Sequence, residues 1–288
     1  RGGSKGNNTI QKDYFLPSLN LKYNLNDKNS LRLGASKTYT LPQAKEISPY
    51  RYVGVNFNSQ GNPNLKPSDH YNLDLKWDFN PTPTELISLT AFYKLIKNPI
   101  SRIEVASAGG YLSYENIADK ATVAGVEIEI RKNLFVRPVS NAAHGMNKLS
   151  LGLNGSYIYT NAKMPLATVT TGSQLEGAAP WIVNFDLSHN FTKGERSFVN
   201  TLVLNYVSDK IYTIGTQGYQ DVMEQGVLIL DFVSQAKLNK HLSLNLKARN
   251  LLNPSYKLSR KANENGEKVI LNDYKKGINI SLGVSCTF

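Results

Sequence analysis

The chain has 288 residues, with 33 Lys and Arg against 22 Asp and Glu, a formal charge of +11 and a mean hydropathy of −0.34. It contains no run of about 18 apolar residues, which excludes a membrane-spanning helix but not a membrane barrel, whose lipid-facing and lumen-facing residues average out. One cysteine, Cys286, excludes an intrachain disulfide and a cysteine metal cluster. The basic residues are scattered singly or in pairs, unlike the stripe that nucleic acid needs.

The chain opens Arg1-Gly2-Gly3-Ser4, without an initiator Met or signal peptide, which reads as an internal start. From there period-two alternation dominates, and helical periodicity is nearly absent. Leu19, Leu21, Tyr23 and Leu25 share one face, with Ser18, Asn20, Lys22 and Asn24 on the other. After a polar turn at 26–30, Leu31, Leu33 and Ala35 oppose Arg32, Gly34 and Ser36. A segment rich in Pro, Asn, Gly and Tyr occupies 41–68. Then Tyr71, Leu73, Leu75, Trp77 and Phe79 alternate with Asn72, Asp74, Lys76 and Asp78.

Beyond the turn at 80–84, a strand carries Ile87, Leu89, Ala91, Tyr93 and Leu95. Ala124, Val126, Ile128 and Ile130 oppose Gly125, Glu127, Glu129 and Arg131. Leu149, Leu151 and Leu153 precede Tyr157 and Tyr159. Trp181, Val183, Phe185 and Leu187 follow, then Phe198, Leu202, Leu204 and Tyr206. Leu228, Leu230 and Phe232 come next, then Leu242, Leu244, Leu246 and Ala248. The last strand sets Ile278, Ile280, Leu282, Val284, Cys286 and Phe288 against Gly277, Asn279, Ser281, Gly283, Ser285 and Thr287.

These are about eleven strands of about ten residues, the length that a tilted strand needs to cross a membrane. Short turns at 26–30, 80–85, 192–196 and 239–241 alternate with connections of roughly 20 residues, as in barrels with short periplasmic turns and long extracellular loops. The stretch 132–147 breaks this rule as an overlong turn on the short side. A soluble sandwich also has one solvated face, but its strands run about five or six residues. The expected fold is therefore all-β, a transmembrane antiparallel barrel. Bacterial barrels close on an even number of strands and the large transporters have about 22, so about eleven strands make the C-terminal half of such a barrel. Residues 1–288 are then the C-terminal part, with the plug and the N-terminal strands upstream.

Four places carry a family resemblance. Gly61-Asn62-Pro63-Asn64-Leu65-Lys66-Pro67, after a long loop and before a strand, resembles the GNPxLxP signature of TonB-dependent receptor barrels. Ala124-Gly125-Val126-Glu127-Ile128-Glu129 is similar to that family's GxExE strand. Arg249-Asn250-Leu251-Leu252-Asn253 with Tyr256 resembles its NLxxxxY segment, and the terminal strand closing on Phe288 is similar to the recognition signal of outer-membrane proteins. The resemblance implies an outer-membrane location and energy-dependent uptake of a bulky solute, such as an iron chelate, cobalamin, oligosaccharide or peptide. It also implies several partners: the N-terminal half with its plug, the TonB complex, outer-membrane lipid and lipopolysaccharide, and a surface lipoprotein. It implies neither a cofactor nor nucleic acid.

Each motif residue also has a structural reading. Pro63 and Pro67 stiffen the loop entering a strand. Gly125 leaves room on the inner face for a plug or a kink. Asn250 satisfies loop backbone groups, and Phe288 fits an aromatic girdle. Glu127 and Glu129 are read as lumen lining, with Arg131 or a plug residue as ion-pair partner, rather than as an acid–base pair. His70, His144, His189 and His241 are scattered without metal-ligand spacing, so neither a catalytic nor a metal site is expected. Tyr50, Arg51 and Tyr52 are the one candidate for recognition, since Tyr and Arg favour binding hot spots, with Asn141 and His144 on the opposite side. The competing functions are an adhesive or structural barrel without transport and a soluble carbohydrate-binding β-protein.

Overall fold

Alternating sequences put successive side chains on opposite sides of a strand, so a sheet built from them has one apolar and one polar face. The computed structural model, which describes residues 13–55, 57–105, 110–139, 145–164, 174–262 and 266–287, shows this over most of its length. In chain order come β1 (Ser18–Asn24), β2 (Asn29–Thr40), the helical turn α1 (Ala44–Ile47), β3 (Arg51–Tyr52) and β4 (Ser59–Gln60). Next are β5 (Ser68–Phe79), β6 (Leu86–Lys97), β7 (Ile100–Val105), β8 (Tyr111–Asn116), β9 (Lys120–Pro138) and β10 (Met146–Ala162). They are followed by β11 (Trp181–Lys193), β12 (Arg196–Val207), β13 (Lys210–Thr213), β14 (Val222–Glu224) and β15 (Val227–Lys237). The chain ends with β16 (Leu242–Arg249), β17 (Ser255–Lys261), β18 (Lys268–Lys275) and β19 (Asn279–Cys286).

Eleven strands form one antiparallel sheet in the order β1-β2-β5-β6-β9-β10-β11-β12-β15-β16-β19. They are the eleven expected from the alternation. Register keeps apolar side chains together. Leu89, Ile128, Gly155, Val183, Tyr206 and Leu228 are successive cross-strand partners, as are Leu21, Leu33, Leu75 and Ala91. Most of these residues are exposed, Leu75 at 51%, and Leu282 on the last strand is at 71%. Leaving such a surface in water costs about 25 cal/mol per Å2, a cost that hydrocarbon surroundings remove.

Aromatic rings bound the apolar band. On β5, Tyr71 stands towards the long-loop end, while Trp77 and Phe79 stack at the short-turn end with ring centroids 6.2 Å apart. Tyr157 and Trp181 meet at 4.7 Å at one rim, and Phe191 and Phe198 at 6.3 Å at the other. Trp181 and Phe191 are ten residues apart on β11, or ~33 Å along a strand at ~3.3 Å per residue. At a tilt of ~40° this spans ~25 Å of membrane normal, the height of the apolar band of outer-membrane barrels.

The opposite face is polar and internally paired. Asp78 lies 3.3 Å from Arg32 and 3.5 Å from Lys76. Arg131 pairs with Glu129 at 2.7 Å, not with Glu127. A neighbouring ring takes the space beside Gly125. Its cross-strand partner Phe92 lays its ring there, and a Cβ would come within 2.4 Å of both Phe92 Cζ and the Tyr157 carbonyl oxygen.

Two expectations about connections are corrected. The stretch 132–147 is mostly strand, because β9 runs 19 residues and β10 runs 17. Partner strand β6 stops opposite Arg131 and the register shifts at Leu149/Ser150, so the β9–β10 hairpin projects beyond its neighbour. The long connections are not plain loops either. Those at 41–67, 98–119, 208–226 and 250–278 carry the strands of two four-stranded sheets, β3-β4-β8-β7 and β13-β14-β17-β18. Phe288, Asn141 and His144 lie outside the described residues.

Candidate binding site in the long-loop cap

Short strands with mixed polarity cannot sit in a membrane band, and here they pack on one another and on the strand ends instead. Ile103 of β7 and Ile214 after β13 form a parallel bridge joining the two small sheets, with Glu104 N–H donating to Ile214 O at 3.0 Å and Ile214 N–H to Arg102 O at 3.1 Å. Ile103, Ile117, Ile211 and Leu175 fill the core beneath, together with Ala121 of β9 and Ala162 of β10. Ile214 is 1% exposed and Val222 0%. The cap is thus seated on the rim of the large sheet.

Polar ties close the cap. Glu176 accepts from the Arg102 backbone N–H and from its guanidinium, each at 2.8 Å. The same guanidinium donates to Tyr212 O at 2.7 Å and lies 3.9 Å from the Tyr212 ring centroid. Burial pushes the Glu176 carboxyl above the usual glutamate range, and the Arg102 contacts only partly offset it. Glu104 pairs with Arg260, whose guanidinium also lies 5.2 Å from the Tyr219 ring centroid.

Tyr212 borders two concavities. One, of about 510 Å3, is lined by Tyr212, Tyr256, Tyr274, Lys257, Glu224 and Asn272. Tyr256 and Tyr274 stack at 5.4 Å, and Lys276 Nζ lies 3.8 Å from the Tyr256 centroid. The other, of about 200 Å3, is lined by Tyr212, Tyr114, Phe57, Lys45 and Arg102. Burial raises the Tyr114 phenol above the ordinary tyrosine value, so it stays a neutral donor. Aromatic faces beside cations suit a flat, anionic, oxygen-rich molecule, because guanidinium and ammonium groups bind oxyanions while the rings stack. Among the described residues no group of His, Cys, Asp or Glu is placed to hold a metal ion.

The described residues singled out from sequence fall in four places. Tyr50 is 75% exposed; Arg51 and Tyr52, also exposed, form β3 and make cation–π contacts, Arg51 to Tyr111 at 5.4 Å and Lys45 to Tyr52 at 5.7 Å. The segment from Gly61 to Pro67 is a clasp. A Cβ on Gly61 would meet the Ser48 carbonyl oxygen at 2.4 Å, Asn62 donates to Tyr114 O at 3.0 Å, and Leu65 is 4% exposed. The Lys66 N–H donates to Asn116 Oδ1 at 2.8 Å, and Asn116 donates back to Lys66 O, tying the segment that holds Pro63 and Pro67 to β8.

Gly125 and Glu127 sit on the polar face of β9. Asn250 adopts a left-handed φ of 57°, and its amide donates to Gly277 O at 2.7 Å. Leu251 N–H reaches Leu230 O at 2.8 Å, and Tyr256 lines the larger concavity. Arg102, Glu104, Glu176, Tyr212, Arg260 and Tyr274 escaped the sequence reading. Their one signal was the pair Arg102 and Glu104, charged residues two apart in an otherwise apolar run, which in retrospect mark a strand face needing partners.

The family model described as "TonB dependent receptor-like, beta-barrel" matches residues 1–251. The iron-regulated outer membrane virulence protein of Vibrio cholerae is 24% identical over 240 residues, covering 80% of this chain and 34% of that protein. The ferric enterobactin receptor of Pseudomonas aeruginosa, solved with enterobactin, aligns with TM-score 0.60 at 17% identity over 95% of this chain and 40% of that one. A solved copper transporter aligns with TM-score 0.62 at 14% identity over 93% of this chain and 39% of that one. The chain therefore spans about a third of the curated relative and two fifths of these structures.

Proposed function

The chain belongs to the TonB-dependent receptor β-barrel family, a family of receptors and transporters rather than enzymes, and is an outer-membrane protein; from that premise we propose that it supplies the C-terminal half of a receptor importing a ferric chelate through TonB-coupled displacement of a plug. The proposal places the remaining strands of a barrel of about 22, and the plug, upstream of this chain. Eleven strands in a chain two fifths the length of its fold neighbours support that division.

The fold neighbours do not decide the cargo, since one is named for ferric enterobactin and another for copper. What favours an anionic aryl or oxygen-rich chelate over cobalamin, oligosaccharide or peptide is the cap chemistry, and above all Tyr212, stacked by Arg102 at 3.9 Å between two concavities. The iron-regulated name of the curated relative points the same way. In this reading the cap wall around Tyr212, Tyr256 and Tyr274 takes the ligand, and exposed Tyr50 extends the surface, while Arg51 and Tyr52 stay committed to their own contacts. Gly61 to Pro67, Gly125, Glu127, Asn250 and Leu251 shape the barrel and its clasp.

The test is uptake of radiolabelled iron from a panel of ferric chelates by cells carrying the full-length protein as their sole receptor. We expect uptake that a proton uncoupler abolishes and that Tyr212→Ala lowers at least tenfold at normal surface abundance. A full-length protein that imports none of the chelates would favour an adhesive or structural barrel instead.

A further inference from the structure

A row of polar side chains crosses the apolar face of the large sheet near its short-turn end. The outward register reads Phe185, Leu187, His189, Phe191 on β11 and Phe198, Asn200, Leu202 on β12. His189 and Asn200 are direct cross-strand partners, and the partner of Asn200 on β15 is Ser234. The row lies two residues inside the Phe191–Phe198 pair, ~6.6 Å along the strand and ~5 Å along the normal at a tilt of ~40°, so it stands in hydrocarbon. The rungs on both sides are apolar, Leu187, Leu202 and Phe232 towards mid-band and Phe191, Phe198 and Ala236 towards the rim.

Polar groups in that position need partners, because no water reaches them. Ser234 Oγ donates to Asn200 Oδ1 at 2.7 Å, and His189 Nε2 lies 2.8 Å from Asn147 Oδ1. The Asn200 NH2, with two donors, and His189 Nδ1 have no share in these bonds. The row is also self-complementary. Neighbouring strands stand ~4.8 Å apart, which puts His189 and Ser234 at equal distances on either side of Asn200. A two-fold axis along the membrane normal, in front of Asn200, sets the row against a second copy of itself: the two Asn200 amides meet, and each His189 meets a Ser234.

We infer that the outward row His189, Asn200 and Ser234 is the two-fold contact through which two copies of the receptor pair within the membrane. Paired amides exchange N–H···O bonds, and an imidazole nitrogen and a hydroxyl bond each other, so the groups left over in one copy are satisfied by the other. The apolar rungs on both sides close around this centre. Association in lipid draws on such hydrogen bonds and on packing, since apolar burial alone brings no gain there. The row faces away from the lumen and from the cap, so each copy keeps its own concavities free.

The experiment counts photobleaching steps of the full-length receptor in phosphatidylcholine vesicles, labelled at Tyr50→Cys in a Cys286→Ser background, over a range of protein-to-lipid ratios. Two-step bleaching is expected to rise with protein density as a monomer–dimer equilibrium. Asn200→Leu should weaken that equilibrium at least tenfold, His189→Leu should weaken it less, and Asn200→Gln, which keeps the amide, should retain most of it. Thr122→Leu, which removes a lone outward polar group on β9, should match the parent protein. Heat-modifiable mobility on gels verifies that each variant is folded, and leucine in place of a lipid-facing polar group favours the fold. One-step bleaching at every density would overturn the contact and leave the row to lipid esters. Parent-level pairing in a folded Asn200→Leu protein, or an equal loss in Thr122→Leu, would overturn it too.

Discussion

The large sheet and the cap solve opposite solvent problems with the same polypeptide. In the sheet, bulky apolar residues such as Leu75 and Leu282 point outward and are exposed, because the surroundings are expected to be hydrocarbon. In the cap, apolar groups such as Ile214 and Val222 are sealed inside, and charged residues are held in pairs, Arg102 with Glu176 and Glu104 with Arg260. The sheet draws its order from cross-strand register, repeated rung by rung. The cap draws it from contacts between segments far apart in the chain.

The largest expected effect breaks the sheet at mid-band. Leu75 stands midway between Tyr71 and Phe79 on β5, so Leu75→Arg should cost about 2–4 kcal/mol of folding stability in bilayers. Lys76→Gln, one residue on but facing the lumen, should cost less than about 1 kcal/mol. Urea titrations of the refolded full-length protein in vesicles compare the two, and equal losses would mean that the faces are misassigned.

A smaller effect separates two luminal glycines. Gly125→Ala forces a Cβ against Phe92 and a backbone carbonyl, at an expected cost of about 1–3 kcal/mol. Gly34→Ala meets nothing nearer than Asn20 Oδ1 at 3.5 Å and should be close to neutral. The same titrations read this difference, and Phe92→Leu should relieve part of the Gly125→Ala cost.

The smallest effect is confined to the cap. Arg102→Gln leaves Glu176 half-sealed without its cation and should loosen β7 and β13 by about 1–2 kcal/mol, seen as faster hydrogen exchange there and unchanged exchange in β9–β12. Glu176 also sets a pH dependence. Its folded pKa is raised, so the cap holds the proton more tightly than the unfolded chain does. Protection should therefore be greatest at low pH and decline as pH rises through the raised value, and Glu176→Gln should abolish that slope.

The same contrast explains what the sequence made legible. Every strand of the large sheet was readable, from Leu19 to Cys286, because lipid on one side and a polar lumen on the other impose an uninterrupted period of two. The cap strands were not. β7 alternates Ser101 and Ile103 inward against Arg102 and Glu104, and β3 and β4 have two residues each, too short for any period to register. The overlong turn at 132–147 was misjudged because the register shift near Leu149 moves Phe135 onto the face opposite to the one its number predicts. Of the proposed binding surface only Tyr50 and Tyr256 stand out in the sequence. The ties that build the cap, Arg102 to Glu176, Arg102 to Tyr212 and Arg260 to Glu104, join residues 74, 110 and 156 positions apart, which no local pattern reveals.

The central claim is that one face of the large sheet meets lipid and the other water, with a period of two. A nitroxide scan along β5 tests it directly, with Asn72→Cys, Leu73→Cys, Asp74→Cys, Leu75→Cys and Lys76→Cys each made singly in a Cys286→Ser background of the full-length receptor in bilayers. Collision accessibility to oxygen should peak at 73 and 75, and accessibility to a water-soluble nickel complex at 72, 74 and 76. A flat profile, or one inverted by a single residue, would contradict the account.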